Sequence, residues 1–140
     1  MITIFSTPKD FSDIFKIIQI NALRSWRAVS EDIQIIILGN SKGSQEIANC
    51  INANYIPNVQ CTNKGTPILS DLFYQAEKNA VYPIMVYINA DIILPKNFLE
   101  NIHLVQQQMK KFLIIGHRWD MNVNKIIDFT KDDDYNKFWE

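Results

Sequence analysis

Asn89 and Asp91 stand two residues apart directly behind the apolar run Ile84 to Ile88. If that run is a strand, its period of two turns both side chains to the same side of an extended chain. A carboxylate in that position can hold a hard cation while the amide reaches a ribose hydroxyl. Mg²⁺ and Mn²⁺ bind through one or two carboxylates and take further ligands from substrate phosphates, where they neutralise charge on a leaving diphosphate. The same spacing also suits an Asx turn or a helix cap. Further along, Arg118 offers a planar fork for a phosphate and Asp120 a general base, with an ion pair beside Trp119 as the plainer reading. His117 reads as a hydrogen-bonded loop residue, and His103 as a surface or packing residue of a helix.

These residues need strands to deliver them, and the apolar pattern supplies candidates. Short β-branched runs alternate with segments of helical period, the pattern of a parallel sheet covered by helices. Ile2 to Ser6 reads as the first strand, broken by Thr7-Pro8. A helix follows over 11–29, with Phe11, Ile14, Phe15, Ile18, Ala22 and Leu23 as its apolar stripe and Asp10 or Ser12 as its cap. Ile33 to Leu38, closed by Gly39-Asn40, reads as a strand buried on both faces. A short helix is expected over 43–53 and a weak strand over Val59 to Cys61. Thr66-Pro67 supplies N-cap and N1 signals for the next helix, through Leu69, Leu72, Phe73 and Ala76, with Asp71 complementing its dipole. Ile84 to Ile88 is then a buried strand, Pro95 opens a helix to about Lys111, and Phe112 to Ile115 reads as a strand ended by Gly116. In the tail, Thr130 caps Asp132, Asp133 and Asp134 at a helix start, with a metal-binding acid cluster as the alternative; Trp26 and Trp139 read as packing.

Ligands of open parallel sheets sit beyond the carboxyl ends of the strands. Thr7, Asn40, Asn89 to Asp91 and His117 to Asp120 all follow predicted strands. Thr66, at a helix start, could add N–H groups for an anion.

Composition narrows the class. The 140 residues suit one domain with one core, and 14 Lys and Arg against 15 Asp and Glu give a net charge of −1. That balance lacks the basic footprint of a nucleic-acid binder. Cys50 and Cys61 have no metal-ligand spacing and read as buried thiols. No secretion signal is legible at the N-terminus, and no apolar run approaches the ~20 residues of a membrane span. A soluble, cytoplasmic, single-domain protein without a membrane span is expected.

The run Tyr87-Ile88-Asn89-Ala90-Asp91-Ile92-Ile93-Leu94 resembles the DxD region of GT-A fold nucleotide-diphosphosugar transferases, with asparagine in the first acidic position. Phe112 to Asp120 and the loop of Asn63, Gly65, Thr66 and Pro67 are similar to segments of one poorly characterised branch of that family. The resemblance spans most of the chain to about Phe129. It implies a three-layer α/β/α fold with a mostly parallel central sheet. It also implies a glycosyltransferase that binds a nucleotide-sugar donor with Mn²⁺ or Mg²⁺ and transfers the sugar to an unknown acceptor. On this resemblance Asp91 is the metal ligand, Asn89 lies near the ribose, and Thr7 and Asn40 lie near the base. Family members have a further C-terminal half that supplies acceptor contacts and often the base. Its absence here makes a non-catalytic or partner-dependent module the alternative, and an exposed sheet edge makes a homodimer an expectation. A nucleotidyltransferase would want a glycine- and basic-rich loop where this chain has Ser6-Thr7-Pro8-Lys9. A flavodoxin-like regulatory domain would want a different arrangement of acids after its first strands.

Overall fold

A computed structural model describes residues 1–136. It contains β1 (Ile2–Ser6), α1 (Asp13–Val29), β2 (Gln34–Leu38), α2 (Ser44–Cys50), β3 (Asn54–Ile56), α3 (Leu69–Asn79), β4 (Ile84–Tyr87), α4 (Phe98–Gln108) and α5 (Asp132–Asn136). The four strands form one sheet in the order β3-β2-β1-β4. Every pairing is parallel, with Ile4 opposite both Ile35 and Val86, and Ile37 opposite Tyr55.

The alternation of side chains along the strands builds two cores. Ile2, Ile4, Ile35 and Ile37 face α1, α2 and α4 and pack with Leu23, Trp26, Ile47, Ala48 and Ile102. Phe5, Ile36 and Leu38 face the other way, onto Leu72 and Ala76 of α3. The sheet therefore lies between helices on both sides, as an α/β fold with an all-parallel sheet. Near-continuous apolar strands such as Ile35 to Leu38 follow from that double coverage. Among the described residues no helix is long and apolar enough to cross a membrane.

Several sequence expectations are corrected. The third strand is Asn54–Ile56, and Val59 to Cys61 contributes only an isolated antiparallel bridge between Cys61 and Pro67. Phe112 to Ile115 is not a strand but irregular chain, with Leu113 and Ile115 well exposed. The stripe expected on α1 fails at its start, where Ile14 and Phe15 are exposed, while Gln19, Asn21 and Ser25 are buried further along. Ser12 occupies the N-cap position without a side-chain cap bond, and Asp10 instead accepts from the Lys42 N–H (2.8 Å). Cys50 and Cys61 are both exposed. The helix start expected at Asp132 is formed, as α5, and Asp132 pairs with Lys96, which holds its carboxyl below the usual carboxylate range. The packing role expected of Trp139 falls outside the described residues.

Candidate functional site

Connectivity runs from β1 through β2 to β3 in one direction and returns across the sheet to β4 on the other side of β1. The strand order thus reverses between β1 and β4, and the crevice beyond the carboxyl ends of such a pair is where open α/β sheets bind ligands. Register fixes what lies there. Phe5 is opposite Tyr87 and the Ile88 N–H donates to the Phe5 carbonyl (3.4 Å). Ser6 at the end of β1 and Thr7 just after it are consequently neighbours of the segment Asn89, Ala90 and Asp91 that follows β4.

The loop after β1 is held by several bonds. Gln19 of α1 receives the Lys9 N–H (2.7 Å) and donates to the Lys9 carbonyl (2.9 Å). Ser41 donates to the Pro8 carbonyl (2.8 Å), and the Phe11 N–H donates to the Lys42 carbonyl (2.8 Å), tying this loop to the one after β2. Gly39 turns that second loop at φ +91°, and a Cβ added to it would meet Thr7 Oγ1 at 3.2 Å. Thr7 is half-buried against this turn and Asn40 is exposed.

On β4 the chain turns at once. Strand geometry ends at Tyr87, Ala90 and Asp91 form a turn, and the Ile92 N–H donates to the Asn89 carbonyl (3.2 Å). Asn89 and Asp91 therefore project from a turn and not from an extended segment, both exposed. α1 fastens the chain that follows. Trp26 Nε1–H donates to the Ile92 carbonyl (2.8 Å), and Ser25 Oγ accepts the Leu94 N–H (3.0 Å) while donating to the Ala22 carbonyl (2.6 Å). A long helix with buried polar residues at these positions makes a rigid floor for the Asp91 turn.

A cleft of about 380 Å³ opens beyond the ends of β2 and β3, lined by Asn40, Val59, Gln60, Asp71 and Gln75 among others. The wall carrying Gln60 is a small hairpin in which the Thr62 N–H donates to the Thr66 carbonyl (2.8 Å) and the Ile68 N–H to the Gln60 carbonyl (2.8 Å). Buried Asp71 anchors it by accepting the Gln60 N–H (2.7 Å), and Gln75 Nε2 also donates to it (3.4 Å). The expected Thr66 cap is not formed: α3 begins at Leu69 with Ile68 in the N-cap position, and Thr66 sits exposed in the hairpin. Asp71 does more than complement a dipole, because it joins the hairpin to α3.

Arg118 and Asp120 are not joined to this region. They pair with each other (3.3 Å), both well exposed. Among the described residues, no hydrogen bond or ion pair links 110–124 to the rest of the chain.

Sequence reasoning passed over the Ser6 side chain. Its hydroxyl is buried at the end of β1 with no hydrogen-bond partner, and a buried polar group without one costs on the order of 1–3 kcal/mol. Only its place at a strand end signals it in the sequence.

No three His, Cys, Asp or Glu side chains converge among the described residues. The described residues thus bring fewer than three such ligands to Asp91, and a cation held there would need further ligands from a bound phosphate or water, a pattern common for Mg²⁺. No protein-family model, curated protein or solved structure matches the chain.

Proposed function

We propose that the chain binds a nucleotide-diphosphate sugar in the β1/β4 crevice, in the manner of a GT-A glycosyltransferase. The observation that carries this reading is the reversal of strand order between β1 and β4, with Ser6 and Thr7 on one side of the crevice and Asn89 and Asp91 on the other. Asp91 takes the metal that neutralises the diphosphate, and Asn89 offers its amide to a ribose hydroxyl. Thr7 and Asn40 follow β1 and β2; of the proposed site residues only Asn40 also lines the 380 Å³ cleft, which lies beyond β2 and β3 and away from Asn89 and Asp91. Sugar transfer to an acceptor is part of the same proposal.

A second reading, binding without transfer, draws on the Arg118–Asp120 pair. Both residues are well exposed, and among the described residues no hydrogen bond or ion pair joins either of them to the crevice. Calorimetric titration of a panel of nucleotide-sugars, with and without Mn²⁺, against the wild type and Asp91→Ala tests the proposal. Metal-dependent binding that falls at least about tenfold in the variant is expected; a folded wild type that binds none of the panel would sink it. Tight binding with no sugar transferred or hydrolysed would favour the second reading.

A further inference from the structure

Asp71 is a carboxylate in the wall of a cleft, only 7% exposed, and it has no cationic partner among the described residues. Both of its hydrogen bonds come from neutral groups. Oδ2 accepts the Gln60 N–H at 2.7 Å, while Oδ1 accepts Gln75 Nε2 at 3.4 Å, longer than the usual range of such a bond. An ionised carboxylate offers about four acceptor positions, so Asp71 keeps capacity that the fold leaves unused. The residue stands in the first turn of α3, where the helix dipole amounts to roughly half a positive charge. That offsets a full negative charge only in part. Buried charges are ordinarily paired or bound to a metal, because burial without a partner is costly.

The rest of the cleft has a matching character. It measures about 380 Å³ and carries, besides Asp71, the side-chain amides of Asn40, Asn58, Gln60 and Gln75. Among the described residues no Lys, Arg or His lines it, so its one formal charge is negative. Such a lining repels a phosphate or a carboxylate and attracts a cation. The amides of Asn40, Asn58 and Gln60 make no side-chain hydrogen bond within the described residues, which leaves their oxygens as further acceptors. Val59 adds an apolar surface between them. The walls are already fixed, because the bond from Gln60 to Asp71 ties the hairpin to α3.

We propose that this cleft binds a small organic cation with N–H donors, an ammonium or a guanidinium, with Asp71 as its counter-ion. Oδ1 of Asp71 receives one N–H in a charge-assisted bond, and the amide oxygens take the remaining donors. The alkyl part of the ligand lies against Val59. A bare metal ion is the poorer occupant. No three His, Cys, Asp or Glu side chains meet among the described residues, and the volume lies in the range of small-molecule sites, roughly 300–1,000 Å³. The cleft lies away from Asn89 and Asp91, so this site stands or falls independently of what binds the β1/β4 crevice.

NMR chemical-shift mapping on the full chain tests the site, with n-butylammonium and methylguanidinium as probes, n-butanol as the uncharged analogue and Ca²⁺ as the metal. The expected result is a saturable change centred on the Gln60, Asp71 and Gln75 amides, with Kd on the order of 1–10 mM for the organic cations. Butanol, without the charge, is expected to bind at least about tenfold more weakly. Asp71→Asn keeps an oxygen that can accept the Gln60 N–H, so the hairpin stays in place while cation binding falls about tenfold or more.

Equal binding of butanol and butylammonium overturns the proposal, as does cation binding that is unchanged in a folded Asp71→Asn. Shifts spread evenly over the exposed carboxylates of the chain overturn it too, because they mark general ion pairing and no site. So does saturation of these three amides by Ca²⁺ where the organic cations fail. If the variant does not fold, the wild-type comparison of butylammonium with butanol suffices.

Discussion

Gly39 shows how a single residue shapes the crevice. Its φ of +91° excludes an ordinary L side chain, and Thr7 Oγ1 lies 3.2 Å from where a Cβ would stand. Gly39→Ala is expected to destabilise the fold by about 1–3 kcal/mol, read as a lower urea midpoint at unchanged slope. Removing the hydroxyl as well, in Gly39→Ala/Thr7→Ala, should restore only the crowding part, because the backbone strain remains. Full recovery would show that φ is unimportant here. Gly39 and Asp91 are legible in sequence because each sits where an apolar run ends, the one place where sequence position alone gives three-dimensional position. Asp71 is not legible in this way: its partner Gln60 lies eleven residues earlier, across a hairpin that only tertiary structure closes. The cysteines mislead for a related reason. Cys is usually buried, but Cys50 ends a short helix and Cys61 lies on the hairpin rim, both open to solvent.

Among the elements, α1 departs furthest from its pattern. Hydrophobic periodicity finds the helix and its later core residues, Ala22 and Leu23, but misses that its work is done by amides and hydroxyls. Gln19 holds the loop after β1, Ser25 and Trp26 hold the chain after Asp91, and Asn21 holds the return segment by donating to Lys125 and accepting the Ile127 N–H (2.9 Å). Polar residues on a helix read as a solvated face unless their partners are known, and these partners lie up to 106 residues away. Asn21 is fully buried, so Asn21→Ala leaves a backbone N–H and a carbonyl unsatisfied. A loss of about 2–4 kcal/mol is expected, with amide protection falling first at Ile127. A change under about 0.5 kcal/mol would mean that water replaces the side chain. Phe112 to Ile115 fails differently. Composition gives it strand character, but a strand also needs a neighbour, and in the described structure β4 pairs with β1 alone.

At the scale of the whole molecule, alternating apolar and helical segments made the α/β class and parallel sheet legible. The strand order was not, because nothing local says that β4 returns beside β1. Among the described residues the two faces of the sheet are unequally covered: α1, α2 and α4 share one, while the buried helical side chains on the other come from α3. Leu72→Ala should therefore act on the molecule as a unit. A cost of about 2–5 kcal/mol is expected, with every probe shifting together in a denaturant titration.

At the far end of the chain, α5 is fastened to the body by buried Tyr135, whose hydroxyl donates to the Leu94 carbonyl and whose ring meets Phe129 at 5.2 Å. Burial pushes its phenol up to about 12, above the ordinary value near 10. The folded state thus keeps a proton that the unfolded chain releases between those values. This contribution to stability is fully present below about pH 10 and is lost as pH rises toward 12. Tyr135→Phe has no such proton, so the stability difference between wild type and variant should be constant below about pH 10 and shrink above it. A difference that stayed flat to pH 12 would mean that the phenol meets solvent in the folded protein, and that α5 is not docked against Leu94.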